Sequence, residues 1–286
     1  MTLPLSPEPL RSGDARYPRS LRELASPPRL LFTIGNRAVL DQTLVAIVGT
    51  RRATAYGERM SREIAAALAR GGACVVSGMA RGIDSAAHRG ALSARGATAA
   101  VLGTGVDVPY PVGNRVLHAE IARHGLLISE FPVGSGALPG SFPRRNRIIA
   151  ALASLVIVIE APVKSGALGT VDHALNLGRN VAVVPGPVDS PQSAGSNALM
   201  RDGAAVITSV EDALSLAGLA RAPALREPDL DPDQRAVWKA LADGAMDMDA
   251  LTARAALPAR RCLAAVTTLE LAGVVECELT GNIRRR

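Results

Sequence analysis

The sequence predicts an α/β protein: a doubly wound, mostly parallel sheet of the extended Rossmann type, followed by a small winged-helix domain. Three observations carry this. Seven short apolar runs bounded by glycine alternate with stretches of helical period between Leu44 and about residue 220. Parallel neighbours need a crossover, and helical crossovers of one hand cover both faces of a sheet. Beyond a linker rich in proline and charge, "RAPALREPDLDPD", three helical stretches precede a strand, a Thr-Gly-Asn turn and a basic end.

Taken in order, residues 1–43 read as a short lead-in, with a Pro-Pro break and an amphipathic stretch in "YPRSLRELASPPRLLFTIGN", too short to be a domain. Residues 44–220 form the main domain. Its expected strands are "LVAIVG", "ACVVSG", "TAAVLG", "LLISE", "SLVIVIEA", "NVAVVPG" and "AAVIT". Helical segments such as "GERMSREIAAALARGG" and "GNRVLHAEIARHG" lie between them, each closed by a glycine. Residues 221–231 are the linker and 232–286 the winged helix. There "DQRAVWKALADG", "MDALTARAAL" and "PARRCLAAVTTLELAGVV" supply the helices. A duplex-reading role would use Arg260 and Arg261 at the start of the third helix and Arg284, Arg285 and Arg286 on the wing. A small dimerisation or docking module would look the same.

Composition bounds the function classes. No apolar run approaches the roughly 18 residues a membrane span needs, and the first twenty residues lack the apolar core of a secretion signal, so a cytoplasmic protein is expected. Cys74, Cys262 and Cys277 show no CxxC spacing, and His88, His118, His124 and His173 stand apart, so neither a disulfide framework nor a metal or other cofactor is expected. The net charge of +6 and pI near 9.9 favour a polyanionic partner.

Ligands of doubly wound sheets bind at the carboxyl ends of the strands, so the loops there hold the candidates. A dinucleotide site would show GxGxxG after the first strand and an acid at the end of the second. The chain has Gly49-Thr-Arg-Arg-Ala-Thr, and its second strand ends in Ser77-Gly78. What remains is a helix N-terminus with free NH groups and Arg51 and Arg52 at its lip, suited to a chain of phosphates. Further loops add Arg81 and His88, then Tyr110 and Arg115. They also bring Phe142, Arg144, Arg145, Asn146 and Arg147, and last Lys164. Four of the seven aromatic residues, Tyr56, Tyr110, Phe131 and Phe142, fall in or beside these loops. A basic groove with interleaved aromatics suits single-stranded nucleic acid. Phe142, among arginines, is the stacking candidate; Tyr110 and Phe131, each beside a proline, read as packing.

The loops also resemble a family. "GTRRATAYG", "SGMARGIDSAAH", "VLGTGVDVPYPVGNR", "ISEFP", "FPRRNRIIAALA", "VIEAPVKSGALGT", "GRNVAVVPG" and "SAGSNALMRDGA" occur in the order seen in the DprA (Smf) family, over about residues 17–217 and more loosely at the winged helix. The resemblance implies sequence-independent binding of single-stranded DNA, homodimers, and recombination mediation during natural transformation by loading RecA and displacing single-strand-binding protein. It does not imply an enzyme. Carried over residue by residue, it places Arg51 on the DNA backbone. It puts Phe142, Arg145, Asn146 and Arg147 in the DNA pocket and Lys164, Ser165 and Gly166 in a second lining loop. Arg52, Ser77, Gly78, Arg81 and Arg115 complete the expected single-strand site. Members often carry a helical domain ahead of the Rossmann part, of which 43 residues could hold only the trailing edge. Val112 stands where lysine is common.

Two other classes are open. A nucleotide phosphoribohydrolase of the lysine-decarboxylase-like class would need a carboxylate in the GGxGTxxE loop. Here the matching stretch runs Gly166 to His173, with histidine in place of the glutamate and Asp172 about 100° away on a helix. A duplex-DNA regulator would read through the winged helix.

Overall fold

The computed structural model describes residues 6–219, 230–241, 246–271, 275–277 and 281–285. It divides into two compact units, Met1–Ala220 and Arg221–Arg286. The first is built on nine strands: β1 (Glu8–Arg11), β2 (Leu30–Gly35), β3 (Thr43–Val48), β4 (Ala73–Ser77), β5 (Thr98–Leu102), β6 (Leu126–Ser129), β7 (Leu155–Val158), β8 (Asn180–Val183) and β9 (Ala205–Val206). Their order in the sheet is β1-β2-β6-β5-β4-β3-β7-β8-β9. From β6 to β9 every pair is parallel; β1–β2 and β2–β6 are antiparallel. The helices of this unit are α1 (Ala55–Arg70), α2 (Ile83–Ser93), α3 (Arg115–His124), α4 (Ser141–Leu152), α5 (Leu168–Asn176), α6 (Ala194–Arg201) and α7 (Val210–Leu216).

The sheet is double-sided because alternate residues face opposite ways. On β3, Ala46 and Val48 join one core with Ile148 and Ile149 of α4, while Val45 and Ile47 join another with Ile64 and Leu68 of α1. The chain winds outward in both directions from β3, whose neighbours are β4 and β7. The topological switch point therefore lies between the loops that leave β3 and β7, which is where an open α/β sheet has its crevice.

Within the expected lead-in of residues 1–43, the described part from residue 6 onward belongs to the main fold. β1 and β2 extend the sheet, and Leu10, Tyr17, Leu21 and Leu31 are buried in the same core as α4. The Tyr17 hydroxyl donates to Pro28 O at 2.7 Å, pinning the segment across the Pro-Pro break. The sequence reading missed these strands because they pair antiparallel at the edge, outside the strand-helix alternation that revealed the others.

The second unit holds α8 (Pro232–Ala240), α9 (Met248–Ala255), α10 (Ala259–Leu271) and the hairpin of β10 (Val275–Cys277) with β11 (Ile283–Arg285), as a winged helix requires. Asp231 caps α8 in a capping box with Gln234, and Trp238, Leu251, Cys262 and Leu269 are in its core. Arg286 and the side chains of Arg284 and Arg285 lie outside the described residues.

His88, read from the sequence as part of a rim loop, is instead fully buried on α2. Thr98 donates its hydroxyl to Val75 O, so the 2.7 Å contact at His88 Nδ1 is a donation from the ring to Thr98 Oγ1. Burial, aided by the charge of Arg145, lowers its pKa from 6.5 to about 3, and the ring is neutral at physiological pH. The unfolded chain takes up this proton below pH 6.5 and the folded one does not, so the stabilisation is complete above 6.5 and is lost as pH falls toward 3. In His88→Leu, chemical-denaturation midpoints should fall less steeply between pH 6.5 and 4 than in the parent; an equal slope refutes the assignment. Leu31→Ala should cost about 2–5 kcal/mol by the same measurement, whereas a dispensable lead-in would give less than about 0.5 kcal/mol.

Candidate nucleic-acid interface

The loops leaving β3 and β7 face each other across a recess of about 400 Å³. Thr50, Arg51 and Arg52 line one wall, Lys164, Ser165 and Gly166 the other, and Phe142, Arg145, Asn146 and Ile149 of α4 close it from below. A second recess of about 330 Å³ adjoins it, bounded by Arg51, Arg52, Gly78, Arg81, Tyr110 and Phe142. Arg51, Arg52, Arg81 and Lys164 are exposed. Asn146 is fixed by donating its Nδ2 to Gly166 O at 3.0 Å, which ties α4 to the β7 loop. Ser165 Oγ accepts from Ala167 N–H at 3.3 Å.

An aromatic shelf lies between the two recesses. The Arg51 guanidinium carbon is 5.3 Å from the Phe142 ring centroid, within cation–π range, and the Tyr110 ring centroid is 5.1 Å from that of Phe142, tilted by 33°. Phe142 is half-buried beneath these partners. Of the other two expected rim aromatics, Tyr56 is half-buried with its hydroxyl on Pro185 O, and Phe131 lies under Arg144 at 5.7 Å.

Several expected contact residues do other work. Arg145 is 4% exposed, with Nη1 donating to Gly78 O at 2.6 Å and to Val101 O. Burial lowers its pKa to about 10, the nearby Asp84 charge opposing the shift, so it stays cationic. It cannot swing out to a phosphate. Gly78 is needed beside it, because a Cβ there would collide with the guanidinium. Arg147 pairs at 2.5 Å with Glu130, whose side chain is nearly covered, donates to Ser26 O at 2.7 Å, and is absent from both linings. Arg144 shares the same carboxylate oxygen at 3.2 Å. Ser77 is buried and its hydroxyl donates to Ile47 O at 2.6 Å. Arg115 is exposed at the start of α3 and stands outside both linings.

Nor is the N-terminus of α1 open. The Glu160 carboxylate accepts from Thr54 N–H at 2.9 Å and from Thr54 Oγ1 at 2.5 Å, and Thr54 Oγ1 in turn accepts from Gly57 N–H at 3.1 Å. Gly57 leaves room for this carboxylate where a Cβ would strike it. An anion already holds the helix end, so phosphates have to be met by side chains.

Sequence reasoning missed Asp84 and Glu160, which are buried, and Glu130, whose side chain is only 4% exposed. Asp84 lines the larger recess, and its Oδ2 accepts from Ala80 N–H at 3.3 Å. Burial raises its pKa against the opposing pull of Arg145. Each acid was visible as a charge inside or just after an apolar strand or helix, a pattern that signals burial with a partner but not which partner.

In the second unit Arg261 is engaged: its Nε and Nη2 reach Asp233 at 2.7 and 2.5 Å, bolting α10 to α8. Arg260 is exposed.

The family model described as DNA recombination-mediator protein A matches residues 9–218, and the DprA winged helix domain matches residues 221–281. The chain is 36% identical to Protein Smf of Escherichia coli over 281 residues, spanning 94% of this chain and 75% of that one. With DNA processing protein DprA of Streptococcus pneumoniae it shares 41% over 202 residues, 71% of each chain. Among solved structures, DNA processing protein A from Streptococcus pneumoniae superposes with a TM-score of 0.70 at 40% identity, covering 73% of each chain. That from Helicobacter pylori, described for its single-stranded DNA binding mode, superposes with a TM-score of 0.68 at 32% identity, covering 76% of this chain and 98% of that one. With nearly three quarters of its length matched to the recombination-mediator domain and its end to the companion winged helix, the chain belongs to the DprA/Smf family of DNA-processing proteins.

Proposed function

We propose that this chain binds single-stranded DNA without regard to sequence and acts as a recombination mediator, loading a RecA-type recombinase onto the strand during natural transformation. It does so as a cytoplasmic homodimer and without turning over a substrate. The observation that carries the binding reading is the recess at the switch point, where Arg51, Arg52, Arg81 and Lys164 surround an aromatic shelf. Such a surface grips a backbone and offers bases a flat face. The mediator role, the recombinase and the setting are supported by family membership.

The charge distribution favours the first unit as the DNA-binding one. Residues 221–286 carry ten acidic and ten basic side chains, so the whole excess of +6 resides in residues 1–220. A neutral winged helix with Arg261 held by Asp233 is a poor start for duplex binding, which draws on phosphate neutralisation. Hydrolysis is likewise disfavoured. Asp172 is exposed on α5, and Asp84 has backbone amides as partners and a carboxyl that burial pushes toward its neutral form. Among the described residues, no helix is long and apolar enough to cross a membrane.

A mobility shift with single- and double-stranded oligonucleotides of equal length at two salt concentrations tests the reading. Single strands of any sequence should bind in preference; retention of duplex alone would overturn it. Arg51→Ala should weaken binding to every sequence and lower the salt slope by about 0.7, the single-strand value for one phosphate contact. An unchanged slope counts against Arg51. Arg145→Ala should behave differently, losing about 2–5 kcal/mol of folding stability because the Gly78 and Val101 carbonyls lose their donor and a cavity opens. If its denaturation curve matches the parent's while DNA binding falls, Arg145 is a contact residue after all.

A further inference from the structure

A separate recess opens at the other end of the sheet, among the amino ends of the strands. α2 and α3 pack on each other, and each runs down to the start of the strand that follows it, β5 or β6. Beside their last turns lies a recess of about 670 Å³ lined by Arg89, Leu92 and Ser93 of α2, by Arg95 just beyond it, and by Glu120 and His124 of α3. Spacings of three and four put the α2 residues on one side of that helix and the α3 pair on one side of the other. Arg89, Arg95, Glu120 and His124 are all exposed, and none of these four side chains has an ion pair or hydrogen bond among the described residues. Donors and acceptors of both signs are therefore open in one concave place.

Arg95 carries the argument further. α2 ends in a Schellman motif, in which Arg95 N–H donates to Leu92 O at 2.9 Å and Gly96 N–H to Ala91 O at 3.0 Å. The first of these two positions is left-handed and favours glycine, yet it is held by an arginine with φ of 55°. Gly96 is needed for packing instead, since a Cβ there would lie 2.5 Å from the Ala69 Cβ. Nor does the helix end need the guanidinium, because the backbone amides of the motif already engage its carbonyls. A long cation kept in a costly conformation with no structural bond to justify it is a sign of a ligand.

We propose that this recess binds a nucleoside phosphate, with Arg89 and Arg95 holding the phosphates and Glu120 accepting hydrogen bonds from the sugar hydroxyls. Guanidinium groups meet phosphate oxygens with paired donors. Leu92 and the His124 ring offer the base an apolar wall, and the volume lies within the range of small-ligand sites. A carboxylate in the lining opposes a continuous polyanion, but it suits a ligand whose charge is confined to one end. The site is distinct from the recess at the switch point and does not depend on the single-strand reading.

The test is equilibrium dialysis of the full chain against ATP, with tripolyphosphate and a thymidine oligonucleotide as comparisons. The parent should bind ATP more tightly than tripolyphosphate. Arg95→Gly should weaken ATP by roughly 10- to 150-fold, the fold-change equivalent of one charge-assisted contact, while its melting temperature holds or rises as the backbone strain is relieved. Arg89→Ala, at an exposed helical position, should lose affinity to a similar degree, so the outcome does not hang on the folding of one variant. In Glu120→Ala the preference for ATP over tripolyphosphate should vanish. Binding of the oligonucleotide should be unchanged in all three. The proposal is overturned if the parent does not bind ATP, or if tripolyphosphate binds it as tightly. It is equally overturned if Arg51→Ala abolishes ATP binding while Arg89→Ala and Arg95→Gly retain it, which would place the nucleotide beside β3, or if the two α2-side variants lose the oligonucleotide as much as ATP, which would make these arginines DNA contacts.

Discussion

The buried guanidinium of Arg145 is the constraint on which the binding face depends. One nitrogen reaches the carbonyls of Gly78 and Val101, at the ends of β4 and β5, and so fixes α4 against the carboxyl edge of the sheet. Burying an unpaired cation would be costly. Here two carbonyls and the nearby Asp84 charge compensate, and the side chain remains ionised. The consequences run outward along α4: Phe142 sits one turn earlier on the same face, Asn146 follows and ties the β7 loop, and Arg51 and Tyr110 settle on the Phe142 ring. A set of groups from four loops is thereby held in one relation by a residue that does not itself reach solvent.

The arginines of α4 show how one helix separates support from contact. Arg144 and Arg147 turn to Glu130 and the segment around Ser26, while the recess is lined from this helix by Phe142, Pro143, Asn146, Ile149 and an Arg145 whose guanidinium is held by the sheet carbonyls. The basic run "FPRRNR" is therefore mainly a scaffold. The cations that remain free are on the loops, where long side chains can follow a backbone whose phosphates have no fixed register.

Much of this was legible in the sequence. The seven parallel strands announced themselves as short apolar runs, four of them ended by glycine, while the order of the strands, and with it the switch point, came only from the fold. The loops rich in arginine at their carboxyl ends were found by the same logic. What could not be read was direction. Arg145 and Arg147 look alike in sequence and both looked like Arg51, but a helix sends successive residues about 100° apart, and whether a guanidinium meets a carbonyl, a carboxylate or water depends on partners distant in sequence: Gly78, Glu130 and Ser26. The antiparallel strands β1 and β2 escaped for a related reason, since β2 pairs with β6 about ninety residues away, β1 pairs only with β2, and no local period marks either pairing.

The filled N-terminus of α1 removes the anion seat that a dinucleotide site of this architecture would use. In such sites the helix end and the glycine turn hold a pyrophosphate at a fixed depth, which favours one small ligand of one shape. Here Glu160 occupies that place, engaging Thr54 and excluding a second anion by charge as well as by volume. On the proposed reading phosphate recognition moves outward to Arg51, Arg52, Arg81 and Lys164, which stand exposed on the loops that line the recesses. Displacement of this kind exchanges shape selectivity for tolerance: a fixed cradle of backbone amides selects among small molecules, whereas a ring of mobile cations around an aromatic shelf accepts any stretch of a flexible polyanion that can present phosphates and a flat base.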